Sequence, residues 1–280
     1  MLIINCACNI IADVAANLKK NVVFLTSTQD SAKHLRDWQI TVERLNPPPG
    51  KVIFCENDSE DETQNLIKSW AYPHELLSFK SKPEDLKDDI YSVIAKNRQM
   101  LLERVREINP DFAIFLDDDV FPENLDIIEK LTTHNLDLVG GMYLRLFKDD
   151  TPYIASQWGT DTPIAEMPQL PNLAVRVADA RKRGVPFLMF ARCERKLYKV
   201  TITSAGCLCL SRKALKDKRL NFYPKGKVKG YKALSEDFEF CLLARELGYE
   251  VYLDGDVRLL HLKPGIEKRR PWITVTYRFR

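Results

Sequence analysis

The stretch Asp111–Val120, DFAIFLDDDV, constrains the fold more than any other: an unbroken apolar run, Ala113 to Leu116, passes straight into the carboxylates Asp117, Asp118 and Asp119. A short apolar run without polar alternation suits a strand buried on both faces, as in a parallel sheet. Such a strand sets the acidic triplet at the carboxyl edge of the sheet, where open α/β sheets bind ligands. Like charges this close repel, and burying them unpaired is costly. A divalent cation relieves that repulsion. On an extended chain Asp117 and Asp119 point to one side and Asp118 to the other. The Asp-x-Asp pair can then hold one ion between the protein and a phosphate-bearing ligand. The competing reading is an acidic loop that caps the helix after Pro122, since acidic residues favour helix N-termini.

Taken in order, Asn21–Thr26 reads as a strand, Ser27–Asp30 as a turn, and Ser31–Leu45 as a helix ended by Asn46-Pro47-Pro48-Pro49-Gly50. Lys51–Cys55 is a second strand, followed by the acidic turn Glu56–Thr63 and a helical stretch; Leu76–Phe79 is a weaker third strand. Pro83–Ile108 carries the longest helical spacing and Asp137–Tyr143 a further strand containing Gly140-Gly141. Alternating strands and helices predict an α/β, Rossmann-like, mostly parallel sheet flanked by helices. We divide this single domain into a nucleotide-binding half (20–144), an acceptor-side half (145–262) and a basic tail (263–280). Residues 145–199 are rich in Pro and scattered polar residues, which predicts long loops. Lys199–Leu210 returns to strand-like residues, and Ser204-Ala205-Gly206 within it permits close backbone approach.

Composition matters chiefly through charge. The net charge is +3, but residues 1–140 carry 15 basic against 24 acidic side chains and residues 141–280 carry 27 against 15, so the halves stand at −9 and +12. That polarity points to an anionic partner for the second half, or else to a solvated basic face. Seven cysteines, Cys6, Cys8, Cys55, Cys193, Cys207, Cys209 and Cys241, lie mostly in apolar runs and read as reduced, buried thiols of a cytoplasmic protein. The two C-x-C pairs lack the C-x-x-C turn that zinc ribbons favour. The N-terminus has no basic leader or small-residue cleavage site, and no run reaches the ~20 apolar residues of a membrane span.

A second informative stretch is Ser235–Leu262. Ser235 is a good N-cap, Glu236 and Asp237 occupy the first helical turn, Gly248 ends the helix, and strand-like residues lead to His261. Glu236 and Asp237 either complement the helix dipole or include a general base that removes a proton from an incoming hydroxyl. His261 alone is a core or surface histidine, or a metal ligand if the site requires one.

Three blocks in one order resemble a GT-A glycosyltransferase of the broad family-two type, in its bacterial and phage forms. They are Glu56–Thr63 (ENDSEDET), Phe115–Val120 (FLDDDV) and Ser235–His261, a close variant of the closing Ser-Glu-Asp block that ends in His. Asn97-Arg98 and Ser204–Ala214 resemble further parts of the pattern, so the likeness spans about residues 20–262. The acidic turn departs from it in reading Asn57-Asp58 where the family has a paired Asp-Asp. Residues 145–199 match nothing in it.

The resemblance implies a metal-dependent hexosyltransferase that uses a nucleoside diphosphate sugar, with Mn2+ or Mg2+ as cofactor and inversion at the anomeric centre. It implies donor contacts from Thr26, Glu56, Asn57, Asp58, Arg98, Asp117 and Asp118. Metal ligation falls to Asp119, Asp117 and His261, and base catalysis to Asp237 with Glu236 in support. The acceptor is open. The basic half, with Lys225, Lys227 and Lys229 among aromatics, suits DNA carrying modified bases or a lipid-linked glycan at an anionic membrane surface. A nucleotidyltransferase or non-catalytic nucleotide-binding module is the alternative of another class, although no Gly-rich phosphate loop is present. Oligomeric state is not legible.

Overall fold

Strand residues alternate between two apolar cores, one on each face of a single sheet. The computed structural model of the chain describes residues 20–81, 90–146, 152–154, 195–200, 202–222 and 236–261. Strands β1 (Val22–Thr28), β2 (Lys51–Asn57), β3 (His74–Phe79) and β4 (Phe112–Leu116) are joined by helices α1 (Ala32–Arg44), α2 (Thr63–Lys68) and α3 (Ile90–Ile108). Then come β5 (Val120–Pro122), α4 (Ile127–Thr133), β6 (Leu138–Leu146), β7 (Pro152–Ile154), β8 (Leu197–Val200) and β9 (Cys207–Ser211). Helices α5 (Arg212–Lys216) and α6 (Glu236–Glu246) lead to β10 (Val251–His261).

The sheet order is β3-β2-β1-β4-β9-β6-β10-β5, with β7 on β6 and β8 on β10. The first four strands are mutually parallel, as the βα alternation predicts. Beyond them the sheet is mixed, because β9 inserts antiparallel between β4 and β6. Strands β6 and β10 are parallel to each other, so they run the same way as β4. The carboxyl ends of β1, β2, β4, β6 and β10 therefore share one edge, and the start of β9 lies there too.

Val23, Ile53, Ala113, Phe115 and Leu208 face a core with α3, α5 and α6. Phe24, Phe54, Ile114, Leu116 and Cys209 face the opposite core with α1, α2 and α4. Phe222 stacks on Phe240 at 4.3 Å and meets Phe115 edge-on at 5.3 Å, which fastens α6 to β4. Full burial of such a ring stabilises by about 1.5–3 kcal/mol relative to exposure.

Several boundaries differ from the sequence reading. Ser27 and Thr28 continue β1 because β2 offers them Cys55 and Glu56 as ladder partners. Lys199–Leu210 is two strands, parted at the turn containing Ala205 and Gly206. Val251–His261 is one strand, with an irregularity between Asp254 and Arg258. Strand β5 intervenes between the acidic triplet and α4, whose cap position is Asp126, so the triplet is not a helix cap.

Gly140 and Gly141 let β6 approach its neighbours. A Cβ at Gly140 would fall 2.1 Å from Thr203 Oγ1, and one at Gly141 2.7 Å from Cys207 Sγ. That close approach seats Ser204–Gly206 at the carboxyl edge. Cys55, Cys207, Cys209 and Cys241 are buried free thiols. Cys6, Cys8, Cys193, the Ser235 cap, the start of the long helix before Ile90, the stretch containing Lys225, Lys227 and Lys229, and the tail 263–280 lie outside the described residues. Among the described residues no helix is long and apolar enough to cross a membrane.

Candidate active site

Past Leu116 the chain leaves the strand at once. Asp117 N donates to Gly206 O at 3.1 Å, and Val120 N donates to Asp117 O at 3.1 Å, closing a tight turn over the triplet. The turn, rather than strand alternation, aims the three carboxylates, and each finds a different neighbour. Asp118 accepts from Thr28 Oγ1, and its other oxygen lies 3.7 Å from His34 Nε2. Asp119 Oδ2 is 3.1 Å from His261 Nε2. That meeting follows from register: β5 pairs back on β10 with Val120 opposite His261, which brings the residue before Val120 to the imidazole. Asp117 Oδ2 is 3.0 Å from Arg98 Nη2, while Trp38 Nε1 donates to the Asp117 carbonyl at 3.0 Å.

Arg98, on α3, is only 4% exposed. Its Nε lies 3.0 Å from Glu236 Oε1, and its Nη1 donates to Ala205 O at 3.0 Å. Burial works against its charge, but Asp117, Glu236 and Asp237 more than offset that and hold the guanidinium protonated. Asp237 stands at the start of α6, its Oδ2 accepting from Ser204 Oγ at 2.7 Å and Ala205 N at 3.3 Å. The two acids of the Ser-Glu-Asp block thus part company: Glu236 faces Arg98 and Asp237 faces the Ser204 turn.

The acidic turn after β2 folds largely onto itself. Glu56 is buried and its carboxylate accepts from Ser59 N and Gln64 Nε2, both at 2.7 Å. Asn57 Oδ1 accepts from Asn97 Nδ2 at 2.7 Å, and Asp58, at φ +53°, accepts from Ser81 N. These side chains form the rim of the sheet's carboxyl edge at the end of β2. Thr26 Oγ1, by contrast, is buried without a hydrogen-bond partner.

Among the described residues no three His, Cys, Asp or Glu side chains converge as a complete cation site. The residues present nevertheless fit a divalent ion in part. Asp119 and His261 already meet, and Asp117 Oδ1 is a buried oxygen without a hydrogen-bond partner. Carboxylate oxygens with one imidazole suit manganese or magnesium, whose remaining positions a diphosphate can fill. Burial raises the Asp117 carboxyl against the pull of Arg98, with Asp119 and Asp118 adding repulsion, so added positive charge here is favourable.

No family model matches the chain, and no curated protein matches it in sequence. Its fold does match solved structures. S. aureus TarS residues 1–349 superpose with TM-score 0.51 at 12% identity, over 86% of this chain and 60% of that one. GalNAc-T7 with UDP, GalNAc and Mn2+ superposes with TM-score 0.51 at 10% identity, over 88% of this chain and 44% of that one. The fold is that of the GT-A glycosyltransferases. The chain thus spans less than two thirds of the length of either relative.

On this GT-A frame Asp117, Asp119, His261, Asp237, Glu236, Arg98 and Asp118 gather at one edge. Sequence reasoning missed Thr28, His34 and Trp38, which hold the acidic triplet, and it named Ser204 for close backbone approach and not as the partner of Asp237. No motif marks Thr28, His34 or Trp38; only the register of β1 on β4 and the α1 packing bring them in. In the second half, Arg195, Lys199, Arg212, Lys213 and Arg219 each face a carboxylate, which reduces the charge they offer a polyanion.

Glu236 carries a pH signature. Burial, then repulsion from Asp237, lifts its carboxyl from an ordinary 4.5 to about 7 in spite of Arg98. The stability contributed by its neutral form is full below pH ~4.5 and is lost as pH rises through about 7. A gap of this size is worth up to ~3 kcal/mol. Glu236→Gln keeps the neutral shape, so its stability relative to wild type should rise from pH 5 and level off above about pH 7. Urea unfolding across that range checks this; a pH-independent difference would show that Glu236 does not titrate there.

Proposed function

We propose that the chain is a metal-dependent glycosyltransferase that moves a sugar from a uridine diphosphate carrier to an acceptor hydroxyl with inversion. The observation that carries the reading is the 3.1 Å meeting of Asp119 with His261, far apart in the chain, on the edge that also bears Asp237. Asp119 and His261, with the unpartnered oxygen of Asp117, would hold the divalent cation. The cation would supply electrostatic stabilisation of the diphosphate as it leaves.

The chain's own residues do the rest. Ser204 Oγ and Ala205 N orient Oδ2 of Asp237, and Phe238 N donates to its Oδ1 at 2.9 Å, so the carboxylate is aimed before an acceptor arrives. Asp237 takes the proton of the incoming hydroxyl as that oxygen attacks the anomeric carbon opposite the diphosphate. Glu236, turned to Arg98, supports this carboxylate and does not take the proton. Thr26, Asp118 and the rim at Asn57-Asp58 would face the nucleoside. A uridine carrier is supported by TarS residues 1–349 and GalNAc-T7, both solved with UDP.

A thermal-shift panel of nucleoside diphosphates, with and without Mn2+, tests the reading. UDP with Mn2+ should raise the melting temperature by several degrees, more than the two shifts added. No shift with any diphosphate and metal would overturn it.

A further inference from the structure

Both sides of the site draw on one buried cation. Arg98 directs Nε at Glu236, Nη1 at Ala205 O and Nη2 at Asp117, each at 3.0 Å. The sequence resemblance makes Arg98 a donor contact, but these three directions are all taken by the protein and the side chain is almost fully enclosed. It also sits over the Phe115 ring at 5.8 Å, which fixes the plane of the fork. Ala205, whose carbonyl it holds, donates its own N–H to Asp237, and the adjoining Gly206 carbonyl receives Asp117 N–H.

We propose that Arg98 is a positioning residue that couples the donor-side carboxylate Asp117 to the base-side carboxylate Glu236, so that a change at one is felt at the other. The planar fork is what allows this: a guanidinium reaches divergent partners at once, whereas a lysine ammonium is a single point charge. Two carboxylates share one positive charge, so neither is fully neutralised. Removing Glu236's charge turns Arg98 wholly to Asp117 and makes that carboxylate a poorer partner for the cation that would hold the diphosphate. Removing Asp117's charge leaves Glu236 with the whole guanidinium and stabilises it as a carboxylate. Coupling through a shared buried charge is the situation in which pairwise effects stop adding. The inference rests on the glycosyltransferase reading only for what the two sides bind.

Two measurements on the full chain test it. In urea unfolding at pH 7.5, the Glu236→Gln change in the unfolding constant should be about tenfold less favourable in an Asp117→Asn background than in wild type. Effects that add to within twofold would overturn the coupling. In calorimetry with UDP and Mn2+, Glu236→Gln should weaken affinity about fivefold although Glu236 faces Arg98 and not the cleft. In an Arg98→Lys background the same change should weaken it less than twofold. Unchanged affinity in Glu236→Gln would reduce Arg98 to a structural tether and overturn the proposal. Should wild type bind no nucleoside diphosphate, the glycosyltransferase reading falls, and the unfolding cycle alone decides the coupling. The cycle also decides it if Arg98→Lys does not fold.

Discussion

Replacing Asp237 with Asn should lower turnover to acceptor about 100-fold or more while leaving donor affinity nearly unchanged. The amide keeps the shape of the carboxylate but cannot accept the acceptor's proton. Its carbonyl can still receive Ser204 Oγ and Ala205 N, the two groups that aim Oδ2 in the native protein. Its NH2 then faces Phe238 N–H, where the native carboxylate accepts at 2.9 Å. That mismatch costs about 1–3 kcal/mol of stability, so the assay belongs at a temperature where circular dichroism shows the variant folded. Single-turnover kinetics with saturating donor separates the two readings of this helix start. If donor affinity collapses and turnover per bound donor survives, Asp237 serves binding, and the helix-dipole role is the better account.

Asp119→Ala should abolish metal-dependent binding of the nucleoside diphosphate and leave the fold intact. The Asp119 side chain is 29% exposed and meets His261 at its tip, so little packing is lost. What is lost is the carboxylate that, with His261, would bring a cation to the diphosphate. Weak metal-independent binding should survive, because the nucleoside side of the cleft is untouched. Calorimetry with UDP, with and without Mn2+, reads both numbers. Metal-dependent affinity equal to wild type would remove Asp119 from the cation site and leave its contact with His261 as a structural ion pair.

Much of the frame was legible in the residues. The apolar run of β4, buried to the last residue, could only be an interior strand. The βα alternation before it obliged β1 to β4 to be parallel, which put the acidic triplet at a ligand-binding edge. Gly248, at φ +89°, ends α6 where the pattern predicts. These are short-range signals, because a strand buried on both faces must be apolar throughout and a helix end needs a residue tolerant of positive φ.

What the three carboxylates do depends on contacts that chain order does not encode. Period-two alternation set Asp117 and Asp119 on one side, but a turn closed by Val120 N–H sends Asp117 to Arg98, Asp118 to Thr28 and Asp119 to His261. Neighbouring residues Glu236 and Asp237 look alike in sequence, yet one meets a buried guanidinium and the other a serine turn. Glu56 reads as a ligand contact by its motif, and only the fold shows that Ser59 N and Gln64 also donate to its carboxylate. The insertion of β9 between β4 and β6 brings Ser204–Gly206 beside Asp117, across nearly ninety residues of chain. Propensity and periodicity act over a few residues and so decided the strands, the helices and the edge. The partner of each charge was decided by packing across the sheet, where Gly140 and Gly141 leave room and Arg98 has no solvent to turn to.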